Sequence, residues 1–192
     1  MMFSIPAKID GGTVIMVVAA LLIAVYLYVL EKKPKKRAND LCKQYETLTA
    51  ETLAAIPDEE LVRAVAANLI AKQTIDHPDL FLQLMQLSFG RQSVYSVWLL
   101  CNELNRRDLY GYLRSPYRRF AQPAVAGFEE IGAPDCAAAL QTALEAYADT
   151  PKKKDIPFAE LTETFRAAVD REDPLSLCIS YIRENIAEFT DC

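Results

Sequence analysis

The sequence predicts an all-α protein, with one N-terminal transmembrane helix followed by a single compact multi-helix cytoplasmic domain. Three observations carry this reading. Residues 13–30 contain no charge, proline or glycine. Five of the six residues 32–37 are Lys or Arg. From residue 38 onward apolar residues recur at helical spacing, and no run with the two-residue alternation of a strand stands out.

The chain divides into a short segment 1–12, the apolar span 13–30, a basic juxtamembrane segment 31–37 and a domain over 38–192. At about 1.5 Å per residue the span makes roughly 27 Å of helix, close to the hydrocarbon thickness of a bilayer. A secretory signal would have a basic front and a shorter apolar run. Here the front holds only Lys8 and Asp10, which cancel, and Tyr26 and Tyr28 suit a membrane interface. Basic flanks are retained inside, so the expectation is a single-pass inner-membrane protein, N-terminus out and residues 38–192 cytoplasmic. The basic run can also touch anionic lipid.

About 155 residues remain for the domain, enough for one hydrophobic core. It carries 15 basic and 24 acidic residues, a net of −9. Such a surface disfavours nonspecific nucleic-acid binding and favours basic partners. The cysteines are Cys42, Cys101, Cys136, Cys178 and Cys192, with no C-x-x-C pair, and His77 is the only histidine. That set offers no zinc site and agrees with a reducing compartment. No metal or cofactor is expected.

A helix is expected over about 38–55, from Leu41, Tyr45, Leu48 and Leu53. Pro57 followed by Asp58, Glu59 and Glu60 starts the next, over about 58–73, because acids suit the positive end of the helix dipole. His77-Pro78-Asp79 interrupts the chain before a short helix with Leu80, Leu84 and Leu87 on one face. His77 sits in a turn with no marked nucleophile, so catalysis is not expected of it. Residues 92–105 are the most apolar soluble stretch, a central helix striped by Val94, Val97, Trp98, Cys101 and Leu104.

Next the sign of charge reverses. Arg106, Arg107, Arg114, Arg118 and Arg119 fall within fourteen residues, among Tyr110, Tyr112, Tyr117 and Phe120. Arginines among aromatics can bind phosphate and stack on bases. They can equally pair with the domain's own carboxylates while the rings enter the core, and this second use is favoured. Helices are then expected over 121–131, stopped by Gly132-Ala133-Pro134, and from Pro134 through an alanine-rich run. A polar linker with Lys152–Lys154 precedes two last helices, about 158–169 and 174–189.

Several of these positions form an ordered series. Glu103-Leu104-Asn105, Leu109, Tyr112, Leu113 and Ser115 are followed by Glu130-Ile131-Gly132-Ala133 and then by Tyr181-Ile182-Arg183-Glu184-Asn185. Over roughly residues 92–189 the chain resembles a family of small bacterial helical domains of unknown function, whose best-known member is a DNA-mimic protein, an acidic dimer that occupies the site of a DNA-binding protein. The departure falls at Arg106-Arg107-Asp108 and Gly111, where relatives have Asn-Gly-Gly and Gln.

No P-loop, dinucleotide fingerprint, metal set or nucleophile elbow is present, and a non-enzymatic role is expected. The leading reading is a membrane-anchored interaction module whose acidic helical surface docks a basic protein; the resemblance implies a nucleic-acid-binding partner. Asp58, Glu59, Glu60, Asp170, Glu172 and Asp173 are the candidate acids. The alternative is a receptor for an anionic ligand (lipid head group, nucleotide or nucleic acid) through Arg106, Arg107, Arg114, Arg118 and Arg119. A site around Glu103, Asn105 and Tyr112 is a third candidate. The expected partners are the membrane, a basic protein and, by resemblance, a second copy of the chain. Direct nucleic-acid binding is not expected.

Overall fold

The computed structural model describes residues 40–72, 79–149 and 156–191. Those from residue 42 onward belong to one unit, Cys42–Cys192. Residues 40–44 are helical, and after them come α1 (Ala50–Ala55), α2 (Asp58–Ala71), α3 (Leu80–Leu84), α4 (Phe89–Leu104), α5 (Leu109–Leu113), a 3-10 turn (Pro116–Phe120), α6 (Ala121–Glu130), α7 (Pro134–Asp149), α8 (Phe158–Glu172), α9 (Pro174–Glu184) and α10 (Ile186–Phe189). No strand occurs among the described residues, so the all-α expectation holds for them.

The membrane part of the expectation is corrected. Among the described residues no helix is long and apolar enough to cross a membrane. The longest, α4 and α7, have 16 residues each, about 24 Å of helix against the roughly 30 Å of a hydrocarbon core. The predicted transmembrane helix 13–30 and basic segment 31–37 lie outside the described residues. The single-pass inner-membrane placement, with residues 38–192 cytoplasmic, and the membrane as partner are therefore withdrawn. His77 and Lys152–Lys154 also lie outside the described residues.

The helix α4 is the axis of the unit. Val94, Val97 and Leu100 are fully buried along it, and it packs most extensively on α6, with α2, α9 and α10 also against it. Its approach to α6 requires a glycine. A Cβ at Gly127 would stand 2.9 Å from the Ser93 Cα and carbonyl oxygen, inside van der Waals contact. From α6 the chain continues as neighbouring layers, α6 on α7 and α7 on α8. Tyr95, Leu99 and Phe120 pack with Ala66, Leu69 and Leu84 in one core cluster.

The I-G-A segment ends α6 for a stereochemical reason. Gly132 has φ +84°, its N–H donates to the Glu129 carbonyl at 3.2 Å, and that of Ala133 donates to Phe128 at 2.7 Å. This pair of bonds is the Schellman ending, which glycine adopts without a Cβ clash. The Y-I-x-E-N segment holds other elements together. The Tyr181 hydroxyl donates to Glu130 at 2.9 Å, linking the two sequence motifs, while Arg183 donates to the carbonyls of Leu53 and Ile56, at 2.6 Å each.

Two expected helices are divided. The helix predicted over 38–55 is interrupted, with Thr49 as N-cap of α1, its hydroxyl accepting from the Thr52 N–H at 3.1 Å. Just before it, the Leu48 N–H donates to Asp191 at 2.9 Å, a long-range bond that a continuing helix would leave unmade. The helix expected over 174–189 breaks at Asn185, whose φ of −122° and ψ of 38° are not helical.

Candidate functional site

The predicted acids separate by what each carboxylate does. Asp58 is exposed and pairs with Arg183 at 2.6 Å. Glu59 is exposed, and Glu60 accepts from the Tyr45 hydroxyl at 3.3 Å. Glu172 is turned inward and accepts from the backbone N–H groups of Asp135 (2.9 Å) and Cys136 (2.8 Å) at the start of α7. Burial works to raise its pKa, but these amide bonds, the Cys136 thiol and Arg171 hold it below the ordinary carboxylate value. Glu172 is therefore a helix cap.

Asp170 and Asp173 belong to a cleft of about 290 Å³ between the end of α4, the outer part of α8 and the α8–α9 junction. Leu104, Phe165, Val169 and Pro174 line it, with Asn105, Arg166, Asp170 and Asp173 as its polar members. Asp173 has φ 44°, a left-handed conformation that Asp tolerates better than most residues. There it caps α9, accepting from the Ser176 hydroxyl at 2.6 Å. Asp170 is exposed and has no side-chain partner among the described residues.

Two acids not singled out in the sequence extend this surface. Glu160 and Glu163 are exposed on α8, and with Asp170 they follow i, i+3 and i+10 spacing, so all three lie within one face. The stripe is about 15 Å long at 1.5 Å per residue. Glu163 pairs with Arg166 at 2.8 Å, both side chains remaining exposed. The spacing itself is the signal that could have found them.

The arginine cluster is divided. Arg107 pairs with the buried Glu103 at 2.8 Å, and Arg106 stands 4.0 Å from the same carboxylate. Arg119 pairs with Asp79 at 2.6 Å, holding that carboxyl below its usual range, and lies 4.4 Å from the Phe81 ring centre. These three follow the carboxylate-pairing expectation. Arg114 and Arg118 do not: each lies over a tyrosine ring, Tyr110 at 5.2 Å and Tyr147 at 5.7 Å.

Glu103, Asn105 and Tyr112 share no cleft. Glu103 and Tyr112 are buried in the packing, while Asn105 is exposed at the acidic cleft. The Tyr112 hydroxyl is buried without a hydrogen-bond partner among the described residues. Burial first, and then the Glu103 charge, raise its pKa. The buried thiols of Cys101, Cys136 and Cys178 are likewise raised by burial, Cys101 to about 12, which keeps them protonated and poorly nucleophilic. Among the described residues no group of three or more His, Cys, Asp or Glu could hold a metal.

The protein family described as DMP19-like protein matches residues 85–185, just over half of the 192-residue chain. The chain belongs to the DMP19-like protein family. The match runs from the end of α3 to the end of α9, so it includes α4, the I-G-A and Y-I-x-E-N segments, the acidic stripe of α8 and the whole arginine segment. No curated protein and no solved structure matches the chain.

Proposed function

We propose that this DMP19-like domain is an acidic protein-interaction module of the DNA-mimic kind, which docks the basic surface of a nucleic-acid-binding protein. The observation that carries the reading is the exposed stripe of Glu160, Glu163 and Asp170 on α8, beside the cleft that Asp173 borders. Carboxylates fixed on a helix can stand where a basic partner would meet phosphates, and a net charge of −9 over residues 38–192 steers such a partner inward. Apolar side chains in the adjoining cleft supply area for the aliphatic stems of a partner's Lys or Arg. Family membership supports the acidic-module reading at the same coarse level.

Of the six acids first considered, Glu59 and Asp170 remain available to a partner, whereas Asp173 is engaged in capping α9. Asp58, Glu60 and Glu172 have internal partners. The test is capture of proteins from an extract of the source cells on the immobilised chain, followed by elution with duplex DNA. The expected eluate is DNA-binding protein, absent when Glu160→Gln, Glu163→Gln and Asp170→Asn are combined. An unchanged eluate from the triple variant rejects the surface.

A further inference from the structure

We propose that Arg114 and Arg118 form a binding site for the phosphate group of a small phosphomonoester, separate from the acidic surface. They border an open cleft of about 450 Å³ with Leu113, Ser115, Pro116, Arg119 and Tyr147. The argument begins with what the two arginines do not do. In a domain with 24 acidic residues over 38–192, neither has a carboxylate partner among the described residues, whereas Arg106, Arg107 and Arg119 all do.

Both guanidinium groups lie instead over tyrosine rings, at 5.2 and 5.7 Å from the ring centres. Arg114 also donates to the Tyr110 hydroxyl at 3.2 Å. A ring contact positions a guanidinium without neutralising it, and leaves N–H groups at its edge for an acceptor. Two such cations match the charge of a phosphate dianion, and Arg–phosphate hydrogen bonds are among the strong charge-assisted ones.

The other groups at the cleft limit what can bind. The Ser115 hydroxyl already donates to the Tyr112 carbonyl at 2.7 Å, so it is not a donor for the ligand. Asp79 balances Arg119, which leaves the charge match to the other two arginines. Leu113, Pro116 and the Tyr147 ring supply an apolar wall, and this favours an ester with an organic part. A long nucleic acid would also meet the domain's negative field, whereas a compact dianion meets only the local one.

The test is isothermal titration of the full chain with inorganic phosphate and with glucose 6-phosphate, against chloride at matched ionic strength. The expected result is saturable binding of the ester that weakens as salt rises and falls about tenfold or more in Arg114→Gln/Arg118→Gln. Arg106→Gln, outside the cleft, should bind as the parent does. Both replaced side chains are exposed; should the double variant unfold, Arg118→Gln alone provides the comparison. Tighter binding of the ester than of phosphate supports the apolar wall as part of the site. Equal binding reassigns the ligand as free phosphate and overturns the ester. Binding of neither, or binding unaffected by the arginine changes, overturns the site. Neither result bears on the acidic stripe, whose test uses other residues.

Discussion

Arg91, in the first turn of α4, donates to Asp191 at 2.9 Å across 100 residues of sequence. Both side chains are largely buried, at 7% and 12% exposure. Arg91 also reaches the Asn68 side chain at 3.2 Å and the Glu188 carbonyl at 3.1 Å. Asp191 accepts from the Leu48 N–H and the Asn68 amide, at 2.9 and 2.8 Å, and pairs with Lys72. One carboxylate thus ties the C-terminal segment to α2, α4 and the approach to α1.

Removing that charge leaves Arg91 buried without its counter-ion. Asp191→Asn is expected to cost about 3 kcal/mol, the scale for breaking a buried pair, read from urea unfolding at neutral pH. A change below about 0.5 kcal/mol, the level of an ordinary surface substitution, rejects the fastening role.

The same site sets an acid dependence. Burial works to raise the Asp191 pKa, but the hydrogen bonds from Lys72, Leu48, Asn68 and Arg91 prevail and hold it at about 2, against an ordinary 3.8. The unfolded chain therefore takes up the proton more readily than the folded one. The contribution is complete above about pH 4 and is lost as pH falls through 3.8 toward 2. Between pH 5 and pH 2 the parent should lose more stability than Asp191→Asn. Parallel acid curves would contradict the assignment.

Gly127 and Gly132 are required for different reasons. A Cβ at Gly127 meets Ser93 backbone at 2.9 Å, while one at Gly132 meets nothing within 4 Å but sits at φ +84°. Gly127→Ala should cost about 2 kcal/mol by forcing α4 and α6 apart. Gly132→Ala should cost about 1 kcal/mol from backbone strain alone. Chemical denaturation of the two variants gives the order, and a reversed order would place the tight contact elsewhere.

Arg183 and Asp58 form an ion pair, yet they should respond unequally to mutation. Arg183 also donates to the backbone carbonyls of Leu53 in α1 and of Ile56 just after it, so Arg183→Ala is expected to cost about 2 kcal/mol. Asp58 is 66% exposed, and Asp58→Asn should change stability by less than about 1 kcal/mol. A thermal melt of each variant measures the difference; equal losses would mean that the ion pair, and not the carbonyl bonds, dominates.

Tyr112 tests a buried cost. Its hydroxyl has no hydrogen-bond partner among the described residues while the ring is fully buried. Tyr112→Phe should be neutral or stabilising by up to about 1 kcal/mol, because it removes a desolvated polar group and little packing. A loss above about 1 kcal/mol would reveal a partner for that hydroxyl.

Much of the helical layout was legible in local pattern. The stripe of Val94, Val97, Trp98, Cys101 and Leu104 marked α4, and the Gly132 stop marked the end of α6, because helical periodicity and capping depend on residues within a few positions of one another. What was hidden depended on distant partners. The break before α1 follows from Asp191 claiming the Leu48 N–H, and the Arg91 network joins residues that no local spacing connects.

The site followed the same division. Composition established an acidic domain and an arginine-rich segment within it, and the ordered motif series carried a resemblance that family membership bears out at the level of the domain. Only the tertiary structure decided which charges were already used. Glu172 caps α7, Asp58 holds Arg183, Arg107 holds Glu103, and Arg114 and Arg118 keep ring contacts instead of carboxylates. The reason is physical: residue type sets what a charged group can bind, but its neighbours in space, brought there by burial of side chains far apart in sequence, determine whether that capacity is satisfied within the protein or left for a partner.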